Sequence, residues 1–176
     1  MKILKIIGII VVVLLTPILV VALFVPNNYI VSVTTTINKP KQVVFDYVKQ
    51  IKNQEQYSVW MLQDPNVKME YQGTDGSVGF KAIWDSQNSN VGAGSQEITA
   101  ISTDSITIDL HFERPMKGEA KVTTRLKTAS QNQTKISIDF YGHAKYPMNL
   151  MNLIAKGIIQ NAETQNLANL KKIVEK

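Results

Sequence analysis

The sequence predicts an α+β fold, a curved antiparallel sheet of seven strands around a long C-terminal helix, preceded by one transmembrane helix. Three observations predict it: an unbroken apolar run over Ile3–Val25, six period-two segments between Val67 and Tyr141, and a helical apolar pattern from Pro147 to Val174. Because a domain takes about 100–200 residues, a chain of 176 holds one domain behind the apolar run and no multidomain enzyme. The expected division is an anchor over 1–25 and a domain over 26–176.

The apolar run has only Lys5 and Thr16 as clearly polar members. As a helix it would span about 34 Å, enough to cross a hydrocarbon core of about 30 Å with some tilt. Pro17 marks a kink of the kind that membrane helices tolerate. A buried core helix is excluded because the run is apolar on every side. A cleaved signal peptide is the competing reading: Val20-Val21-Ala22 offers a small-residue site, yet Leu23, Phe24 and Val25 carry the run past it, which favours an uncleaved anchor. Lys2 and Lys5 precede the span and the next cation after it is Lys39. A single-pass membrane protein is therefore expected, with its N-terminus cytoplasmic and its domain extracytoplasmic.

Tyr29–Ile37 is β-branched almost throughout, with Tyr29, Val31, Val33, Thr35 and Ile37 on one face of a first strand. Asn38-Lys39-Pro40 is a turn ending on a proline suited to open a helix, which Val43, Val44, Tyr47, Val48 and Ile51 continue to about Gln50. A short helical piece from Asn53 to Trp60 ends before the breaker Asp64-Pro65-Asn66. Six strands follow, over Val67–Gly73, Val78–Asp85, Gly94–Ser102, Ser105–Glu113, Glu119–Thr128 and Thr134–Tyr141. In the fourth of these, Ile106, Ile108, Leu110 and Phe112 alternate with Thr107, Asp109, His111 and Glu113, so one face is buried and one is wet. Along Pro147–Val174 the apolar positions Leu150, Met151, Ile154, Ile158, Ala162, Leu167, Leu170 and Ile173 drift around the axis, as befits a helix lying across a curved sheet. Gly157 costs this helix about 1 kcal/mol relative to alanine, which points either to close backbone approach or to room beneath the helix.

Composition narrows the chemistry. The absence of cysteine rules out thiol catalysis, thiolate metal sites and disulfides. The net charge of +5 falls to +3 once Lys2 and Lys5 are set apart with the anchor, and no basic run interleaved with aromatics follows, so no nucleic acid is expected as partner. His111 and His143, the only histidines, form no metal-ligand spacing, and no metal or cofactor is expected. Glu97 with Arg114 or Tyr141 could act as acid and base, but Glu97 alternates with Ile98 and faces solvent. Gly92-x-Gly94 lacks the helix that a dinucleotide fingerprint requires and reads as a hairpin turn, while Gly73, Gly76 and Gly79 bracket another turn. Asn132-Gln133-Thr134 matches a glycosylation sequon in a polar turn, where chance matches are common.

The order of strand, two short helices, six antiparallel strands and long helix is that of the helix-grip fold. Residues along it also look familiar: Ile37-x-x-Pro40 with Val43, Val44 and Phe45; Trp60, Asp64-Pro65-Asn66, Tyr71-x-Gly73 and Gly79; Trp84 and Val91-Gly92-x-Gly94; Phe112-x-x-Pro115; and Leu167-x-x-Leu170-Lys171. In these the sequence resembles the START-like/Bet v 1-like superfamily, in particular its SRPBCC polyketide cyclase/dehydrase-like branch, over residues 29–175. The resemblance implies an elongated apolar cavity between sheet and helix that holds a hydrophobic small molecule or lipid. It carries over no catalytic residue.

The expected cavity wall comprises Trp60, Phe80, Trp84, Leu110, Phe112, Met151, Ile154 and Ile158. For Trp60 and Trp84, filling the core is as good a reading as touching a ligand, because each needs a partner for its indole N–H in either case. The leading expectation is a non-catalytic, membrane-tethered binding module, whose partners are a hydrophobic ligand and the membrane through the N-terminal helix. An enzyme of the polyketide cyclase/dehydrase type acting on an aromatic or polyketide-like substrate, and an interaction domain with a self-filled cavity, are the alternatives. Two or more ionisable side chains pointing into the cavity would favour the enzyme.

Overall fold

A computed structural model describes residues 2–176. The N-terminal helix α1 (Lys2–Ala22) runs as one element through Pro17, and Thr16 Oγ1 donates to the Val12 carbonyl at 2.7 Å. It is long and apolar enough to cross a membrane. Strand β1 (Asn28–Ile37) follows, then α2 (Lys41–Val48), a 3₁₀ turn at Ile51–Asn53, α3 (Gln54–Tyr57) and α4 (Val59–Gln63). Six strands come next: β2 (Lys68–Gln72), β3 (Lys81–Asp85), β4 (Ala93–Ile101), β5 (Ser105–Arg114), β6 (Gly118–Ser130) and β7 (Gln133–His143). A 3₁₀ turn at Met148–Met151 leads into the closing helix α5 (Asn152–Val174).

The seven strands form one antiparallel sheet in the order β1-β7-β6-β5-β4-β3-β2, with β1 and β2 at its edges. From β2 to β7 each strand pairs with the next in sequence, while β1 pairs with β7 at one edge of the sheet. Register shifts at Ala93/Gly94, Ile98/Ala100 and Thr128/Ser130 mark bulges, which bend a sheet and increase its twist. The inner face carries Val31, Val33, Ile37, Ile98, Ile106, Leu126, Ile136 and Ile138, all buried in one cluster. Against it lie Val44, Phe45 and Val48 of α2, and Leu167, Leu170 and Val174 of α5.

Three expectations change in detail. Pro40 is the residue before α2 rather than its first, and the face that α2 buries is Val44, Phe45 and Val48, leaving Val43 half exposed to water. The helical piece expected over Asn53–Trp60 is broken at Ser58, whose backbone is extended, and restarts to run on to Gln63. Gly157 meets no close backbone: nothing lies within 4 Å of a Cβ placed there.

Gly94, by contrast, is a point of contact. A Cβ on it would lie 2.3 Å from the His111 carbonyl oxygen and 2.6 Å from the Trp84 ring. The two glycines therefore predict opposite signs. Gly157→Ala should raise unfolding free energy by about 0.5–1 kcal/mol through helix propensity alone. Gly94→Ala should lower it by about 1–3 kcal/mol, because backbone and indole must both shift. Chemical denaturation of the two variants checks both, and a destabilised Gly157→Ala would show that the helix needs its glycine.

Candidate functional site

Between the inner face of the sheet and the first half of α5 the core gives way to open space. Residues Leu110 and Phe112 point inward from β5 yet are only half-buried, because a groove and not a side chain lies above them. The inner chamber, about 240 Å³, is walled by Trp84, Leu110, Phe112, Phe140 and Ile159, with Trp60 and Met61 of α4 closing one side. An outer chamber of about 370 Å³ lies under α5 and is walled by Tyr29, Met116, Ala120, Met151, Ile154 and Ile158. The two share Phe112, Arg114, Pro115, Phe140 and Ile159, so they are successive parts of one groove. Larger hollows, about 560 Å³ between β1 and the end of α5 and about 600 Å³ between α4 and α5, are surface grooves outside the grip of sheet and helix.

Residues expected on the cavity wall divide accordingly. Trp60, Trp84, Leu110 and Phe112 line the inner chamber, and Phe112, Met151, Ile154 and Ile158 the outer one. Phe80 does not line either: it is 1% exposed and stacks on Tyr71 at 6.0 Å, within the core beneath the short helices. Alternation puts Phe80 on the correct face with Ala82 and Trp84, but it cannot say how far along the sheet the groove extends. Trp84 combines both of its readings, since its indole N–H donates to the Val91 carbonyl at 3.3 Å while the ring edges Phe112 at 6.2 Å and lines the chamber.

Polar groups in the inner chamber are few and mostly neutral. Gln96 of β4 donates to Gln54 of α3 at 2.9 Å, and Ser58 and Asn90 complete the set. Apolar periodicity does not mark Gln54 or Gln96; the signal in the sequence is a glutamine, Gln96, on the inward phase of its strand. Among the described residues, the ionisable side chain lining this chamber is Arg114, and it is held at the rim by Asp85, with a further bond to the Ser86 carbonyl at 3.2 Å. His111 faces solvent opposite Glu119, 3.7 Å away, and Glu97 is absent from the lining of either chamber. Among the described residues no group of three acidic or histidine side chains is placed to hold a metal ion.

Beside the groove, α5 carries one carboxylate in an apolar setting. Burial raises the Glu163 pKa, an effect that the Asn166 amide, 3.3 Å from Oε2, partly offsets. The same carboxylate, after burial itself, pushes the Tyr57 phenol upward. A carboxyl with a raised folded-state pKa favours folding when protonated and penalises it once pH exceeds that folded value. Glu163→Gln should therefore raise the melting temperature at neutral pH, and its advantage should shrink as pH falls toward and below the ordinary glutamate range. Melting curves across that range check the sign, and an advantage independent of pH would mean that the charge is not the cause.

No protein-family model and no curated protein matches the sequence. In structure the chain is similar to norcoclaurine synthase from Thalictrum flavum, solved with dopamine and hydroxybenzaldehyde, at 11% identity and a TM-score of 0.64, covering 84% of this chain and 86% of that one. It is similar also to protein MLL2253 from Mesorhizobium loti, at 15% identity and a TM-score of 0.62, covering 84% and 97%. A third neighbour is Ara h 8.0201, at 14% identity and a TM-score of 0.60, again covering 84% and 97%. At these identities the likeness is one of fold.

Proposed function

From the premise that the chain has the helix-grip fold of the START/Bet v 1-like superfamily, we propose that it is a membrane-tethered module that binds a hydrophobic small molecule or lipid in the groove, without catalysis. The observation that carries this is the inner chamber, walled by aromatic and aliphatic side chains with neutral amides among its polar groups, while the charged groups of the outer chamber, Lys117 and Glu119 with His143, are exposed side chains along its sheet side. Apolar walls supply affinity and a few hydrogen-bonding groups set orientation, and the chambers together fall in the range of about 300–1,000 Å³ in which small-molecule sites lie. A cyclase or dehydrase would need an acid and a base aimed at the substrate. In the inner chamber Arg114, engaged by Asp85, offers neither, and in the outer one Glu119 and His143 are exposed, with His143 Nδ1 turned to Asn28 Oδ1 at 2.6 Å.

The tether is α1. If it were a signal peptide, cleavage after Val20-Val21-Ala22 would cut at a residue that is 1% exposed and whose carbonyl is bonded by Asn149. That burial supports an uncleaved helix, with positions 1–25 as anchor and 26–176 as the binding domain. The cations Lys2 and Lys5 before the span favour a cytoplasmic N-terminus and an extracytoplasmic domain.

Ligand retention tests the binding reading. Native mass spectrometry of the detergent-solubilised full chain should show a discrete apolar adduct. Leu110→Arg, which drives a charge into the inner chamber, should reduce it at least about tenfold, or about 1.4 kcal/mol, while Leu110→Met retains it. An undiminished adduct on a folded Leu110→Arg chain would place the ligand elsewhere. Orientation is tested separately on intact cells. The chain has no native cysteine, so Lys127→Cys on the domain should react with a membrane-impermeant maleimide added outside, and protection there would reverse the topology.

A further inference from the structure

The domain is clasped to its helix. Asn149, 2% exposed, donates to the carbonyls of Ala22 and Val25, both at 2.7 Å, and Asn152, 6% exposed, to those of Pro26 and Asn27 at 2.9 and 3.1 Å. A flexible tether leaves such carbonyls to water; here two buried side chains from the start of α5 take them. The clasp fixes which part of the domain stands at the foot of α1.

That part is apolar and uncovered. Met148, Met151, Leu153, Ile154 and Ile158 are between 40% and 65% exposed, and Met116 of the β5–β6 turn, 49% exposed, lines the outer chamber together with Met151, Ile154 and Ile158. Their surroundings are basic. No acidic residue occurs between Asp139 and Glu163, whereas Lys145 and Lys156 are exposed there and Lys117 adjoins Met116. Of the carboxylates on the β5–β6 hairpin, Glu113 pairs with Lys117 at 3.5 Å, and Glu119 lies at the sheet side of the outer chamber, 3.7 Å from the His111 ring. An apolar face with a cationic rim is the composition of a surface that lies in the headgroup and acyl boundary of an anionic membrane.

We infer that this face, the 3₁₀ turn at Met148–Met151 and the first turns of α5 together with Met116, rests in the bilayer surface beside α1, held in that pose by Asn149 and Asn152. The inference rests on the reading of α1 as a membrane span. Its consequence is that the groove opens onto lipid, between Met116 and Ile154, so that an amphiphile resident in the bilayer enters sideways without crossing water.

The test uses the full chain in phosphatidylethanolamine–phosphatidylglycerol vesicles, with single nitroxide labels at Leu153→Cys, Ile154→Cys, Val12→Cys in the anchor and Lys127→Cys on the domain. Collision with oxygen and with a water-soluble nickel chelate reports depth. Labels at 153 and 154 should favour oxygen several-fold over the label at 127. In an Asn149→Leu, Asn152→Leu background, shown by melting to keep its folded domain, that preference should fall toward the value at 127. Labels at 153 and 154 as water-exposed as 127, with Val12 in lipid, would overturn the docked face and leave the anchor standing. A water-exposed Val12 would overturn the anchor and the inference with it. An unchanged depth in the double variant would overturn the role of the two asparagines.

Discussion

A straight helix can follow a curved sheet over only part of its length, and the rest of this molecule depends on how α5 divides that contact. Its C-terminal half sinks Ala162, Leu167, Leu170 and Val174 into the core. Its first turns, through Ile154 and Ile158, stand off the sheet and roof a groove instead. If α5 packed along its whole length, Phe112, Phe140 and Ile159 would meet as a closed core and there would be no site. The bulges in β4 and β6 and the 13-residue length of β6 serve the same end, since a longer, more bent sheet moves away from the helix faster.

Side-chain amides hold the helix in that position. Asn166 accepts from the Val59 backbone N–H at 2.8 Å, and Asn169 donates to the Tyr57 carbonyl at 3.1 Å, which ties the middle of α5 to the short helices that close the inner chamber. Asn149 and Asn152 tie its start to the end of α1. These contacts are directional where hydrophobic packing is not, so they set the angle of α5 over the groove while the apolar residues of its C-terminal half supply the burial.

Much of this was legible in the sequence. Alternation along β5 gave the inner face at Ile106, Ile108, Leu110 and Phe112, and the drift of apolar positions along Pro147–Val174 matched a helix buried at one end and bridging at the other. Less legible were features that depend on which element covers which. Phe80 shares a face with Trp84 but lies where α3 and Tyr71 close the core, and Phe45 displaces Val43 from the buried side of α2 because neighbouring strands, not spacing, choose the helix face. The asparagines at the start of and along α5 carry no apolar pattern. Their signal was available as polar residues at 149, 152 and 166, interrupting the phase on which the helix buries itself.

The clasp at the foot of α1 is better understood as a positioning device than as a source of stability. At Asn149 the two hydrogen bonds contribute about 0.5–1.5 kcal/mol each net, while its Oδ1, buried with no protein donor in reach, costs about 1–3 kcal/mol. The sum leaves little gain that a leucine in the same place would not match. What leucine could not do is grip the carbonyls of Ala22 and Val25, and so fix the direction in which the domain leaves its helix. A flexible linker would keep the domain close to α1 but in every orientation. Two buried amides at the junction restrict those orientations to ones in which the open half of α5, and with it the mouth of the groove, adjoins the end of α1.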